Sequence, residues 1–397
     1  MFEIKPIRFV ALFLLSFSFD YFGGLLSLFA SNISIHSLQL LFAFIAFIIS
    51  IPFKKKVITR EVKSVLWLLI LFIAFCYFNE GFGAPLYYKY KMDLLLYSFT
   101  IIVFSFFSVQ SYKELDFFFK ICLVQICFSL IFSGIDINVT SRLDNGEPIT
   151  VSRSAIILIF SSFYYDKLSK AMIIPFLIIG FTSLITSASR GPLLSLLIVM
   201  IILNYKKYFQ SILHNIRNIF LFIFIMYSPF FFNLVGFDIQ LLNRLFSIFK
   251  SNSFSELGDG DIDRLNSFKF SFDILSENFF TGSGFGNYPY EILGFDSRYY
   301  PHNIFAEILS ETGIIGFTLF SSILILIYKN IKRNKIFLTL KSYKFIVGFF
   351  LIGLLTSQFS LEISNQFILF NSISISLIIF QLSNERKNHL YKRFKTK

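Results

Sequence analysis

The sequence predicts an all-α polytopic membrane protein with about twelve transmembrane helices, and its composition is the first reason. Of the 397 residues, 55% are hydrophobic and only 15% are charged, with a mean hydropathy of +0.69. The second reason is that the apolar residues form runs of about 17 to 25 residues, enough for a helix to cross about 30 Å of hydrocarbon. These runs lack the alternation of transmembrane strands, so helices are favoured over a barrel.

The predicted spans are spread along the whole chain, which we expect to form a single integral-membrane domain over residues 1–397. The first run has no small-residue cleavage site after Asp20, so we interpret it as a true span and not as a signal peptide. The spans are predicted to begin near Ile7, Ile35, Val65, Met92, Phe117, Val151, Ala171, Pro192, Ile216, His302, Lys344 and Ser364.

The positions of lysine and arginine predict how the chain is oriented, because positively charged short loops remain in the cytoplasm. Basic clusters at Lys54–Lys56, from Lys329 and from Arg386 fall on one side when both termini are cytoplasmic. We therefore predict a multi-pass membrane protein with both termini in the cytoplasm. Topology and contact with anionic membrane lipid account for the net charge of +12, and no basic folded face indicates nucleic-acid binding.

The predicted topology leaves one large external (periplasmic) loop, residues 235–301, and a smaller one, residues 134–150. Within the large loop, apolar residues recur at spacings of three and four, which predicts an amphipathic helix that lies on the membrane or caps the bundle. Its apolar face contains Leu265, Phe268, Phe272, Leu275 and Phe279, and its polar face contains Arg264, Lys269, Ser271 and Ser276.

The sequence indicates neither a metal site nor a cofactor. Cys76, Cys122 and Cys127 lie in apolar runs, where packing is their expected role, and no histidine or cysteine cluster has ligand spacing. The aspartates before the amphipathic helix begin like a calcium loop. However, Arg264 stands where that loop needs glycine, and Phe270 where it needs glutamate.

Four arginines are predicted to converge at the external face: Arg142, Arg153, Arg190 and Arg264. An uncompensated guanidinium at a membrane end costs several kcal/mol, so an anionic partner is expected. For any single arginine, a lipid phosphate or a neighbouring carboxylate is an alternative partner. For the set, the fork geometry of guanidinium favours a phosphate or diphosphate ligand.

Two features follow the amphipathic helix. The stretch TGSGFGNY contains Gly284, and its backbone N–H groups are suited either to bind an anion or to form a tight turn. The stretch PHNIFAEILSETGIIGF then begins a span with His302, which a helical wheel places on one face with small residues. Glu307 and Glu311 point to the opposite side and are expected to find structural partners inside the bundle. A neutral His302 at this position is suited to accept a proton, and the alternative is an interfacial histidine bonded to a loop carbonyl.

SRG at 189–191, DRLNSFKFSFDILSENFFTGSGFGNYP and PHNIFAEILSETGIIGF together resemble, in order and spacing, the O-antigen polymerase and ligase family. The similarity covers roughly residues 142 to 317. It implies a metal-independent membrane glycosyltransferase whose donor glycan is linked to undecaprenyl diphosphate and which needs no nucleotide sugar. By resemblance, the protein lies in the bacterial cytoplasmic (inner) membrane, Arg190, Arg264 and His302 are the catalytic residues, and Arg142, Arg190 and Arg264 bind the diphosphate. Gly284 is predicted to bind the diphosphate as well, through its backbone N–H.

The resemblance leaves the acceptor open. A polymerase transfers the glycan to another lipid-linked repeat in lipopolysaccharide or capsule synthesis, whereas a ligase transfers it to the lipid A core. We favour a polymerase because the chain length and its phenylalanine-rich composition are typical of such proteins. A polysaccharide flippase or transporter is a third hypothesis, which Asp20 and Lys120 favour. A chain-length regulator remains open as a protein partner.

Overall fold

A computed structural model describes residues 5–18, 35–51, 58–135, 147–187, 189–212, 259–337, 339–359, 363 and 366–395. A short 3₁₀ helix spans Asn334–Phe337. The helices of these residues are α1 (Pro6–Phe17), α2 (Ile35–Ser50), α3 (Arg60–Phe78), α4 (Pro85–Ser108), α5 (Tyr112–Ile135), α6 (Glu147–Tyr164), α7 (Lys170–Ser187), α8 (Arg190–Ile212), α9 (Asp259–Glu277), α10 (Tyr288–Leu293), α11 (Ile304–Arg333), α12 (Leu340–Thr356) and α13 (Phe367–Lys395).

The predicted all-helical fold class is confirmed. The described ranges contain no strand, only an isolated bridge between Glu80 and Phe285. A helix lies at each predicted span except the one near Ile216, which is outside the described residues. Residues 235–258 of the predicted external loop lie outside them as well. Among the described residues, five helices are long and apolar enough to cross a membrane, namely α3, α4, α7, α11 and the first part of α13. The total of twelve spans stays a prediction.

Within the pairs α1–α2 and α4–α5 the two helices run in opposite directions, and one cluster of side chains shows this directly. Arg8 at the start of α1 donates to Ser50 Oγ at the end of α2 (2.7 Å) and to the Ser108 carbonyl at the end of α4 (2.5 Å). It also forms a two-pronged ion pair with Glu114, at the start of α5, with N···O distances of 2.7 and 3.1 Å. We call this end of the bundle the Arg8 end and the opposite one the His302 end.

Helix α13 lies at the centre of the bundle, packed against α4, α11 and α12. Nearly every residue of its first half is buried. In contrast, α3 and α7 each present a row of exposed apolar side chains, such as Trp67 and Leu71 or Ile174 and Ile178. Such rows suit contact with lipid.

A helix, α9, lies where an amphipathic helix was predicted in the large loop, and it packs against α11. Its contact face consists of Ser267, Ser271 and Ile274, which are all buried. The predicted apolar face points outward, since Phe268 and Phe272 remain 43% and 46% exposed. The helix therefore contacts the bundle mainly through small polar side chains. Its aromatic side chains remain exposed, where an apolar medium such as lipid could cover them.

Candidate functional site

The glycine-rich turn that follows α9, residues 281–287, docks on the short connection between α3 and α4. The Phe285 N–H donates to the Asn79 carbonyl (2.6 Å), and the Gly81 N–H donates back to the Phe285 carbonyl (3.2 Å). The Asn287 side chain accepts from the Gly83 N–H at 3.0 Å. These bonds fix the turn at the His302 end of the bundle, beside the end of α3.

The same turn inserts into a break in α11. Gly313 has φ 59° and ψ −163°, a conformation essentially restricted to glycine, so the helix is interrupted there. The turn satisfies the backbone groups that the break exposes. Ser283 N–H donates to the Ser310 carbonyl (2.9 Å), and Ile314 N–H donates to the Phe279 carbonyl (3.0 Å). The helical wheel used to place small residues on one face of this span was therefore wrong beyond Gly313.

Gly284, a predicted diphosphate ligand, has a structural role in this turn. Its N–H donates to the Glu311 carbonyl at 3.1 Å. With φ 104° and only 2.8 Å between an added Cβ and the Gly81 Cα, the position accepts no larger residue without rearrangement. The tight-turn alternative therefore describes the observed geometry, and contact with a diphosphate stays a prediction.

The sequence had suggested that His302 is part of the helix. In the structure it lies in the segment before α11. It is the one non-glycine residue with positive φ (58°) in the described ranges. Asn303 caps α11, because its side-chain oxygen accepts from the N–H groups of Phe305 (3.0 Å) and Ala306 (3.1 Å). The imidazole packs against the Tyr300 ring, with 4.5 Å between the centroids. His302 thus stands at the positive end of a helix dipole on a strained backbone.

The turn after α12, residues 356–359, brings other elements to this segment. The Ile304 N–H donates to the Ser357 carbonyl at 3.2 Å. Arg153, buried in α6, donates to the Thr356 carbonyl (3.0 Å) and to the Gln366 side chain (3.1 Å). Tyr300 lies close enough to Arg153 for an electrostatic interaction. Arg153 and His302 therefore share Tyr300 as a neighbour.

The backbone of Arg190 lies beside the same turn. It is the first residue of α8, and its side chain is outside what the structure describes. The next residue, Gly191, packs so closely on Phe359 that an added Cβ would lie 2.7 Å from the Phe359 Cβ. The start of α8 therefore lies beside the turn that receives the start of α11.

Arg264 is exposed on α9, one helical turn before Ser267. The Ser267 hydroxyl bonds to the Tyr299 hydroxyl at 2.8 Å, and the Ser267 carbonyl accepts from Tyr288, also at 2.8 Å. Burial raises the pKa of the Tyr288 phenol, which keeps that donor protonated. Because Tyr299 is three residues from His302, these contacts place the Arg264 segment at the His302 end. Arg142 lies outside the described residues.

The sequence analysis did not single out a buried charge cluster, which we call the Lys91 hub. Lys91 Nζ contacts Glu307 Oε1 at 2.5 Å and Glu311 Oε2 at 2.6 Å, and the three side chains are at most 1% exposed. Glu307 also accepts from the Ile363 N–H (2.8 Å), and Glu311 from the Gly286 N–H (3.0 Å). The partners expected for the two glutamates are thus present.

A position for a metal is not evident in this region. Within the described part of the chain, no three His, Cys, Asp or Glu side chains are grouped so that they could hold a metal ion. Independence of metal stays a prediction. The groups that the His302 end offers to chemistry are a histidine, a set of arginines and the positive end of α11.

Comparison with known proteins bears on these same residues. Residues 175–321 match the family model described as O-antigen ligase. The search of curated proteins found no match to the chain. The matched segment runs from within α7 to within α11 and contains Arg190, Arg264 and His302. Residues 175–321, which contain the start of α8, all of α9 and the start of α11, thus match a model of the family that the sequence resembles.

Proposed function

We propose that this protein is an O-antigen or surface-polysaccharide polymerase that joins undecaprenyl-diphosphate-linked repeat units on the outer face of the bacterial cytoplasmic membrane. The observation that carries the proposal is convergence. Three residues far apart in the chain, Arg190, Arg264 and His302, belong to segments that meet around the Tyr299–Asn303 stretch and the turn after α12. The family match covers all three.

The proposed chemistry is a single displacement. The acceptor hydroxyl oxygen attacks the anomeric carbon of the donor sugar while the bond from that carbon to the diphosphate oxygen breaks. The anomeric centre is inverted, the hydroxyl proton passes to His302, and undecaprenyl diphosphate leaves with its charge stabilised by Arg190 and Arg264. Arg142 is a further candidate ligand of the diphosphate. Gly284 is left out of this set because its N–H already donates to Glu311.

His302 is suited to the role of base for a physical reason. The N-terminal end of α11 disfavours the imidazolium form, so a neutral imidazole is available near neutral pH. Asn303 holds the start of α11 through its cap, which fixes the backbone of the preceding residue. The same dipole favours an anionic donor nearby.

A transporter, the more distant alternative after a ligase, stays a candidate because α11 is broken and the bundle contains buried charges, two features that transporters also have. The Lys91 hub argues for the enzyme. Glu307 and Glu311 lie three and seven residues after the start of α11, about 5 and 10 Å along its axis, so both lie in the half of a span of about 30 Å that borders the His302 end. Lys120, which had favoured transport, pairs with Asp116 at the partly exposed start of α5.

The test uses a strain lacking this protein, complemented with the wild type, His302→Ala or Arg190→Ala at equal protein level. Surface polysaccharide is then compared on a silver-stained gel. We expect a single repeat unit on the core in the deletion strain and in both variants, which is the product pattern of a missing polymerase. Bare core with polymer retained on undecaprenyl diphosphate would indicate a ligase. Repeats trapped on the cytoplasmic side would indicate transport, and full polymer in both variants would remove them from the mechanism.

A further inference from the structure

We propose that Lys91 is a positioning residue of the active site, which acts on His302 through Glu307 and Glu311; this inference rests on the function proposed above. The hub joins four segments. Lys91 comes from α4, the two glutamates from the first turns of α11, and the glutamates accept N–H groups from the glycine-rich turn and from Ile363. Each of these segments borders the site.

The energetics indicate that stability alone does not explain such a cluster. A buried ion pair recovers in Coulomb attraction roughly what its charges lose on leaving water, and neutral residues of similar shape are often as stable. The hub also holds two carboxylates for one ammonium, so it contains one formal negative charge more than a simple pair. Ionisable groups inside membrane proteins commonly mark functional sites.

The geometry shows what the hub can fix. Glu307 is four residues after Asn303, and the Glu307 N–H donates to the Asn303 carbonyl at 2.9 Å. A shift of the first turn of α11 would therefore move the cap and the His302 backbone with it. Glu311 holds the Gly286 N–H and thereby the turn that fills the break at Gly313. Lys91 fixes both carboxylates at once, and its ammonium also lies 4.8 Å from the centre of the Phe285 ring.

The experiment separates positioning from stability. Purified wild type, Lys91→Met and the neutral triple variant Lys91→Met, Glu307→Gln, Glu311→Gln are compared in detergent by melting temperature and by turnover of a synthetic lipid-diphosphate-linked repeat. Lys91→Met leaves two buried carboxylates without their ammonium, so its melting temperature and its kcat should both fall. The triple variant should recover the melting temperature and still show kcat reduced about 100-fold at nearly unchanged KM for the donor, because a misplaced base slows only the chemical step.

A matched control comes from the other end of the bundle. The double variant Arg8→Met, Glu114→Gln neutralises another buried ion pair and should keep wild-type kcat. Wild-type kcat in the triple variant would overturn the proposal. If both Lys91 variants fail to fold, Glu307→Gln decides, since it keeps the Lys91–Glu311 pair and an acceptor for Ile363. Reduced kcat in folded Glu307→Gln is expected, and unchanged kcat would refute the positioning role.

His302→Ala in the same assay distinguishes the two levels of the proposal. Turnover lost in His302→Ala but normal in the triple variant would refute the hub and leave the function intact. Normal turnover in His302→Ala would refute the role assigned to the histidine, whatever the hub variants show.

Discussion

The two ends of the helix bundle are built differently. At the Arg8 end, ion pairs connect the ends of different helices: Arg8–Glu114 joins the starts of α1 and α5, and Arg333–Glu61 joins the end of α11 to the start of α3. At the His302 end, helices start beside irregular backbone, and all positive-φ residues in the described ranges fall between Gly282 and Gly313. Strained backbone persists only where its surroundings fix it, and it concentrates at functional sites. The contrast supports the proposal that the first end has structural tasks and that the second carries out the chemistry.

The largest effect on folding is expected at the break in α11. In Gly313→Ala, the new Cβ would lie 2.4 Å from the Phe280 carbonyl carbon and oxygen, in a backbone conformation that only glycine adopts readily. We expect a loss of about 4 kcal/mol or more, seen as failure to accumulate folded protein.

Gly294→Ala is the matched control, because Gly294 also has positive φ (75°) but no atom within 4 Å of an added Cβ. It should cost only about 1 kcal/mol. Equal losses in the two alanine variants, measured by melting temperature in detergent, would show that the inserted turn does not hold the break.

Breaking the ion pair at the Arg8 end should lower stability and leave chemistry intact. Arg8→Met removes the cation that pairs with the mostly buried Glu114 carboxylate, so we expect the free energy of unfolding to fall by about 3 kcal/mol. Turnover per folded molecule should match the wild type, since Arg8 lies at the opposite end from His302. A drop in kcat at saturating donor in the folded fraction would contradict the functional division between the ends.

Two exposed arginines, one at each end, sharpen the comparison. Arg264→Gln removes the positive charge proposed to stabilise the leaving diphosphate, so it should reduce kcat/KM about 10- to 100-fold. The melting temperature should stay nearly constant. Arg333→Gln removes an exposed partner of Glu61, and such pairs contribute about 0 to 1 kcal/mol. Steady-state kinetics on both proteins would contradict the assignment if Arg333→Gln impaired turnover as much as Arg264→Gln.

The smallest effect concerns Glu291 in α10. Burial, followed by repulsion from Glu277, raises the pKa of this carboxyl, while a hydrogen bond from Asn287 lowers it. Because the folded-state pKa is raised, the contribution of Glu291 to stability is present at low pH and is lost as pH rises through that pKa. Glu291→Gln, which keeps an acceptor for Asn287, should slightly raise the melting temperature at pH 7.5 and not at pH 4. The same gain at both pH values would exclude a charge effect.

The sequence predicted the helices better than it predicted the site. Hydropathy located the spans because each buries its own backbone hydrogen bonds whatever its neighbours do. The predicted start of the span near Met92 was about two turns late, because α4 begins at Pro85 and carries Lys89 and Lys91 in its first two turns. The partners that make Lys91 acceptable are more than 200 residues away in the chain.

The site depends on contacts of this long-range kind. The break at Gly313 exists because residues 279–284 supply its hydrogen bonds, and no local pattern announces it. One signal was readable. Asparagine is a preferred helix cap, so Asn303 could have placed His302 before α11 and not within it. The serine face of α9 was harder to foresee, because hydropathy favoured burying the phenylalanines.

The central claim, that the His302 end carries out glycosyl transfer, is tested most directly with purified protein in nanodiscs. The rate of a single turnover of a synthetic undecaprenyl-diphosphate-linked repeat is measured for wild type and His302→Ala, alongside donor binding. We expect donor binding within about twofold and a rate lower by about 10²- to 10⁴-fold in His302→Ala, the range that general-base catalysis contributes. An unchanged rate would contradict the claim.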